Sequence, residues 1–177
     1  MSSKEEYRTV LETIYPCQSI NAIQTNIYFR KRTSSITEMK GNFTLLVPFD
    51  DSLTININLA SWSLTGGWKP NLAVFIAINA CSSLKTVLGN VWYSLMKAFN
   101  FPKTSCPLLP IIYKNNDLST YITSGIDLKE FEDHHNFPKV YFYGKHKVLY
   151  KTKNIENKVL GCFVLELSLI CPREYPI

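Results

Sequence analysis

At 177 residues and 46% hydrophobic, the chain is long enough to bury the core of one domain, taken here as residues 1–177. No apolar run approaches the roughly 20 residues of a membrane-spanning helix, which predicts a soluble domain. The net charge of +5 is scattered, with small knots at Arg30-Lys31-Arg32 and from Lys145 to Lys158. A nucleic-acid binder concentrates its charge and interleaves it with exposed aromatics, so nucleic acid is not an expected partner; mild attraction to an anionic membrane surface fits better.

Along the chain, Met1 to Glu6 carry charges where a signal peptide needs an apolar stretch, so a secreted form would be the processed chain. Tyr7, Val10, Leu11 and Ile14 hint at a short helix ended by Pro16. Strands are expected over Asn26–Arg32 and Phe43–Phe49. Asn42, Phe43 and Thr44 form the only glycosylation sequon, placing a candidate glycan on Asn42 beside Gly41 at the start of a strand. Asp50-Asp51-Ser52 supplies a turn. Leu53, Ile55, Ile57 and Leu59 then alternate with Thr54, Asn56 and Asn58, the period of a half-buried strand. Thr65-Gly66-Gly67 is the next turn, followed by a strand over Trp68–Ile78.

From Cys81 to Phe101 the period changes. Leu84, Val87, Leu88, Val91, Trp92, Leu95, Met96 and Phe99 fall at helical spacing, Ser82 or Ser83 is a candidate cap, and Pro102 ends the run. Leu108–Tyr113 reads as short and extended, and Lys114–Asn136 as mostly polar loop. Val140–Tyr150 and Val159–Ile170 read as an antiparallel hairpin joined through Lys153 to Asn157. The expectation is a mostly β chain: a sandwich or cup of about seven or eight antiparallel strands with one amphipathic helix over an apolar cavity.

Five cysteines, Cys17, Cys81, Cys106, Cys162 and Cys171, lie far apart. Such spacing disfavours zinc, whose sites usually use close pairs, and favours disulfides closing long loops; an odd count leaves one thiol free or intermolecular. Five buried free thiols in a reducing compartment are the alternative. The run Glu130 to His135 is the one cluster of metal-ligand residue types, and a solvated acidic loop accounts for it. Asp50-Asp51 reads as turn chemistry, since neighbouring carboxylates do not readily converge on one substrate atom. His146 lies far in sequence from all cysteines but Cys162 and Cys171, and no nucleophile elbow, phosphate loop or dinucleotide fingerprint is present. Neither an enzyme nor a metal or cofactor is expected.

Helical apolar stripes are usually core. Cysteines on either side of this one would nevertheless pin it over a β-layer rich in Phe and Ile, and a sandwich that cannot close leaves an apolar cavity. A long alkyl chain entering such a cavity gains about 0.8 kcal/mol per buried methylene.

Gly41-Asn42-Phe43-Thr44, Gly66-Gly67-Trp68 with its strand running into Cys81, Cys106-Pro107-Leu108 and Gly161-Cys162-Phe163-Val164-Leu165-Glu166-Leu167-Ser168-Leu169 occur in that order. This ordered set, spanning roughly residues 36 to 170, resembles the ganglioside-activator branch of the ML lipid-recognition proteins, and still more an insect group of activator-like proteins linked to contact chemosensation. The resemblance implies a secreted, non-enzymatic cup that holds a lipid or other long-chain apolar ligand such as a semiochemical. It also implies disulfides Cys17–Cys162 and Cys81–Cys106, with Cys17–Cys171 the rival pairing and Cys171 otherwise free or intermolecular. The ganglioside activator has further cysteines between the counterparts of Cys81 and Cys106, and a glycine-tyrosine pair often follows Cys-Pro in these relatives; this chain has neither. The expected ligand-binding residues are Phe75, Val91, Trp92, Leu95, Met96, Phe99, Phe101, Phe163 and Leu165. The rival expectation is an accessory protein that binds a receptor or hydrolase through an exposed apolar patch around the helix.

Overall fold

The computed structural model describes residues 8–17, 22–110, 120–132 and 143–170. Its strands are β1 (Arg8–Pro16), β2 (Ile23–Lys31), β3 (Thr37–Leu45), β4 (Thr54–Ser63), β5 (Gly67–Ala77), β6 (Thr120–Asp127), β7 (Gly144–Lys153) and β8 (Val159–Ile170). Helices α1 (Ala80–Leu88) and α2 (Asn90–Ala98) follow β5, and the single turn α3 (Lys129–Glu132) follows β6. A five-stranded sheet in the order β1-β8-β7-β4-β5 faces a three-stranded sheet in the order β2-β3-β6, and every pairing is antiparallel. The sheets meet where β2 lies against β1 and β8, while β5 is the last strand of the larger sheet on its other side.

The expected mostly β, antiparallel architecture is present. Four local expectations are corrected. Residues 8–16 form a strand on β8 rather than a helix; a bulge between Leu11 and Thr13 lets Leu11 oppose Leu167 and Ile14 oppose Leu165, so the apolar residues three apart share one face. The supposed polar loop 114–136 contains β6 and α3 among its described residues. The second expected strand begins six residues early, at Thr37, which puts Asn42 inside the central strand of its sheet rather than at a strand start. Finally, the expected single helix is two. Gly89, with φ 57°, ends α1 by donating to Lys85 O (3.0 Å), and α2 restarts at the next residue.

The buried core gathers Ile23, Met39, Leu45, Phe49, Leu53 and Ile55 from β2 to β4 and the turn between β3 and β4 with Val91, Trp92, Met96 and Phe99 from the helical segment. Trp92 is 1% exposed, and its indole N–H donates to Thr104 O at 2.7 Å. The Cys81–Cys106 disulfide joins the first turn of α1 to the loop beyond α2, near the Phe49–Leu108 bridge. Cys17–Cys162 ties the end of β1 to β8.

Neither expected serine caps α1. Its N-cap position, Asn79, makes no side-chain hydrogen bond; instead Asp51 reaches from the turn before β4, accepting from Ser82 N–H (2.8 Å) and Ser82 O–H (2.5 Å). Its neighbour Asp50 serves the turn itself, accepting from the Ser52 N–H and O–H. The Ser82 hydroxyl, followed by the Ser82 N–H, holds the Asp51 carboxyl below its ordinary pKa of 3.8. A depressed carboxyl contributes stability above its unfolded pKa and loses it as pH falls through the folded one. Melting temperature should therefore decline below about pH 4, and Asp51→Asn should lower the pH 7 value while flattening that decline. Equal acid sensitivity in thermal melts of both proteins would show that Asp51 does not act this way.

Candidate functional site

Residues paired across an antiparallel ladder share a face, so the register of the large sheet defines its inner surface. One inner row runs Phe75, Ile57, Tyr150, Phe163, and the next runs Ala73, Leu59, Val148, Leu165, Ile14. Tyr150 and Phe163 stack with ring centroids 4.6 Å apart. Burial pushes the Tyr150 hydroxyl up to about 12, against a smaller opposing effect of its hydrogen bond with Thr152, so it is a neutral phenol at physiological pH. The core takes Ile55 and Ala77 from this face and packs against Ile57, Tyr150 and Leu11. Leu59, Val148, Phe163 and Leu165 remain half-buried outside it. An unsatisfied apolar floor is thus continuous with the core.

The nine expected ligand-binding residues fall into three groups. Val91, Trp92, Met96 and Phe99 are inside the core, and Leu95 and Phe101 pack against it, with Phe101 stacked on Tyr121 at 3.8 Å. Phe163 and Leu165 belong to the half-buried inner floor. Phe75 stands at the free end of the Phe163 row, 40% exposed, and lines a shallow cleft of about 270 Å³ with Asn79, Ser82, Ser83, Thr86 and Val87. Leu72, Val74, Ile76 and Ile78 are all exposed along and just beyond β5.

A second cavity, of about 200 Å³, was not apparent from sequence. It is lined by Glu12, Trp62, Trp68, Lys145, His146, Glu166 and Leu167, where bulges interrupt β1 and β4. Trp62 and Trp68 are register partners that meet edge to face at 5.2 Å. Lys147 lies 4.3 Å over the Trp68 ring and 3.6 Å from Glu166 Oε1, which also accepts from the Tyr15 hydroxyl at 3.2 Å. Tyr15 is pushed above its ordinary value by desolvation first and the Glu166 charge second, which keeps it a donor. Glu12 Oε1 accepts a short hydrogen bond from Ser168. His146, 1% exposed, faces Gly144 O through Nδ1 at 3.0 Å, and its buried Nε2 has no partner among the described residues. A carbonyl only accepts, so Nδ1 carries the proton and Nε2 is a bare acceptor. Desolvation lowers the His146 pKa and favours this neutral form. The symmetric placement of Trp62 and Trp68 around the Thr65-Gly66-Gly67 turn is the sequence signal that would have paired them.

No group of three or more His, Cys, Asp or Glu is placed to hold a metal among the described residues. Glu130 and Glu132 lie in α3, whereas Asp133, His134 and His135 lie outside the described residues, as does Cys171. Cys162, the described cysteine nearest His146 in sequence, is committed to its disulfide. The Asn42 carbonyl accepts from Asn26 Nδ2 at 3.1 Å. Two disulfides fit an oxidising compartment, and no helix among the described residues is long and apolar enough to cross a membrane. No protein-family model matches the chain, and no curated protein matches its sequence.

Proposed function

We propose that this protein is a secreted, non-enzymatic carrier that lays a long-chain apolar ligand along the inner face of its five-stranded sheet. The observation that carries the reading is the half-buried floor of Leu59, Val148, Phe163 and Leu165 running outward from the core. An alkyl chain on it would remove both surfaces from water, at about 0.8 kcal/mol per methylene, while its polar end stayed at the rim. The resemblance to the ML lipid-recognition proteins supports the same class of ligand, including a contact-chemosensory hydrocarbon. In an extracellular setting Asn42 would carry a glycan, since its engaged carbonyl leaves its own Nδ2 for the sugar. Lys145, Lys147 and Lys151 on the outer side of the sheet would favour an anionic membrane surface as a loading station.

The test is native mass spectrometry of the purified protein, followed by solvent extraction and lipid identification. A discrete added mass that extracts as fatty acid, hydrocarbon or phospholipid is expected. Leu165→Lys should lower its occupancy at least about tenfold, because a charge on the floor opposes an apolar chain, with circular dichroism unchanged. A clean apo mass that persists after offering lipids would overturn the proposal.

A second reading rests on the apolar edge strand. Val74, Ile76 and Ile78 are 53%, 60% and 74% exposed, a patch suited to a receptor or hydrolase surface. An accessory protein of that kind would remain lipid-free and would lose its partner on Ile76→Lys, whereas the carrier would keep its ligand.

A further inference from the structure

We propose that the cavity beside Trp62 and Trp68 is a binding site for a neutral saccharide, separate from the apolar inner floor. Several features of the wall point to that class. The first is charge. Glu12, Glu166 and Lys145 line the cavity, and Lys147, just outside the lining and 3.6 Å from Glu166 Oε1, offsets the remaining negative charge, so the site has little net charge with which to select an ion. The place where a small organic cation would sit, over an indole face, is taken on Trp68 by Lys147 at 4.3 Å.

The second feature is the mixture of flat apolar and directed polar surface. Trp62 remains 47% exposed although it meets Trp68 edge to face. An indole left open beside fixed polar groups suits the C–H face of a sugar ring, with its hydroxyls held at the edge. The carboxylates are pre-oriented for such hydroxyls. Glu166 Oε1 is anchored by Tyr15 and Lys147, and Glu12 Oε1 by Ser168, while no partner occupies either Oε2 among the described residues. Hydroxyls supply donors to both carboxylates and accept from Lys145. A hydrocarbon would leave every one of these groups unsatisfied. The volume, about 200 Å³, suits one ring, so longer glycans would project beyond it.

The experiment is isothermal titration of the full chain, stripped of lipid by solvent extraction and refolded with its disulfides intact, with neutral trisaccharides of glucose, mannose and N-acetylglucosamine. Tetramethylammonium chloride and sodium phosphate are the ionic comparators. At least one trisaccharide should bind saturably at millimolar or lower concentration, and neither ion should. Trp62→Ala, at an exposed position, should weaken that binding at least about tenfold, and Glu166→Gln should weaken it while preserving shape. Both variants should retain circular dichroism and the occupancy of any lipid on the inner floor. Absence of saccharide binding, unchanged affinity in Trp62→Ala, or preference for either ion would overturn the proposal. Because the readout is sugar binding by lipid-free protein, it stands or falls independently of the carrier reading.

Discussion

Trp92→Ala should destabilise the protein by about 3–5 kcal/mol, the range for removing a buried large aromatic from a packed core. The indole is 1% exposed, among the core residues of the helical segment, and its N–H satisfies Thr104 O at 2.7 Å. Truncation therefore creates a void and removes this hydrogen bond. Trp92→Phe keeps most of the ring volume and loses the hydrogen bond, so its cost should be smaller, about 1–2 kcal/mol. Urea unfolding followed by circular dichroism separates the cases. A loss under about 1 kcal/mol for the alanine variant would mean that the core does not close around this residue.

Gly41→Ala should be at least as damaging, for a reason of backbone geometry rather than volume. Gly41 has φ +114°, and a Cβ built there would stand 2.0 Å from Asn26 O, a backbone atom of the neighbouring strand. Relief requires β2 and β3 to separate where Ile27 opposes Gly41, in the middle of their ladder. A loss above about 4 kcal/mol, or failure to accumulate as folded protein, is expected. Gly66→Ala is the matched control, because its Cβ would meet only the flexible end of Lys69 at 3.5 Å. Similar urea midpoints for the two variants would refute the steric argument.

The elements legible in the sequence were those whose alternation is uninterrupted where it was read. Leu53 to Leu59 announces β4, because polar and apolar residues change places at every step, and in the last hairpin Phe163, Leu165, Leu167 and Leu169 at every second position announce β8. The hidden strands are bulged ones. In β1 the irregularity between Leu11 and Thr13 spaces the inward residues three apart, which imitates a helix. In β6 Thr123 and Ile126 face Gly41 and Met39 across another irregularity, and the polar Thr120 and Ser124 disguise a strand whose Tyr121 is buried. Gly89 was equally quiet, since the apolar spacing continues through it although the helix does not.

At the candidate sites the division is similar. Apolar residues at helical spacing mark what is buried without saying whether they touch ligand or one another; here the helical residues form core, and Phe163 and Leu165 form floor. The tryptophan cavity depends on cross-strand register and on Glu12, which enters through the β1 bulge. Neither is visible before strands are paired. The pairing of the four described cysteines, Cys17 with Cys162 and Cys81 with Cys106, is the part that spacing alone left open.

Those two bonds give the molecule a nested connectivity. Cys17–Cys162 closes a ring of backbone through both sheets, and Cys81–Cys106 closes a smaller ring within it. A single cut at the tip of the β4–β5 hairpin, where Leu64 is 96% exposed, severs the chain without dividing the molecule. In surroundings rich in proteases, a nicked copy would remain one covalent body, and the pieces would part only after reduction.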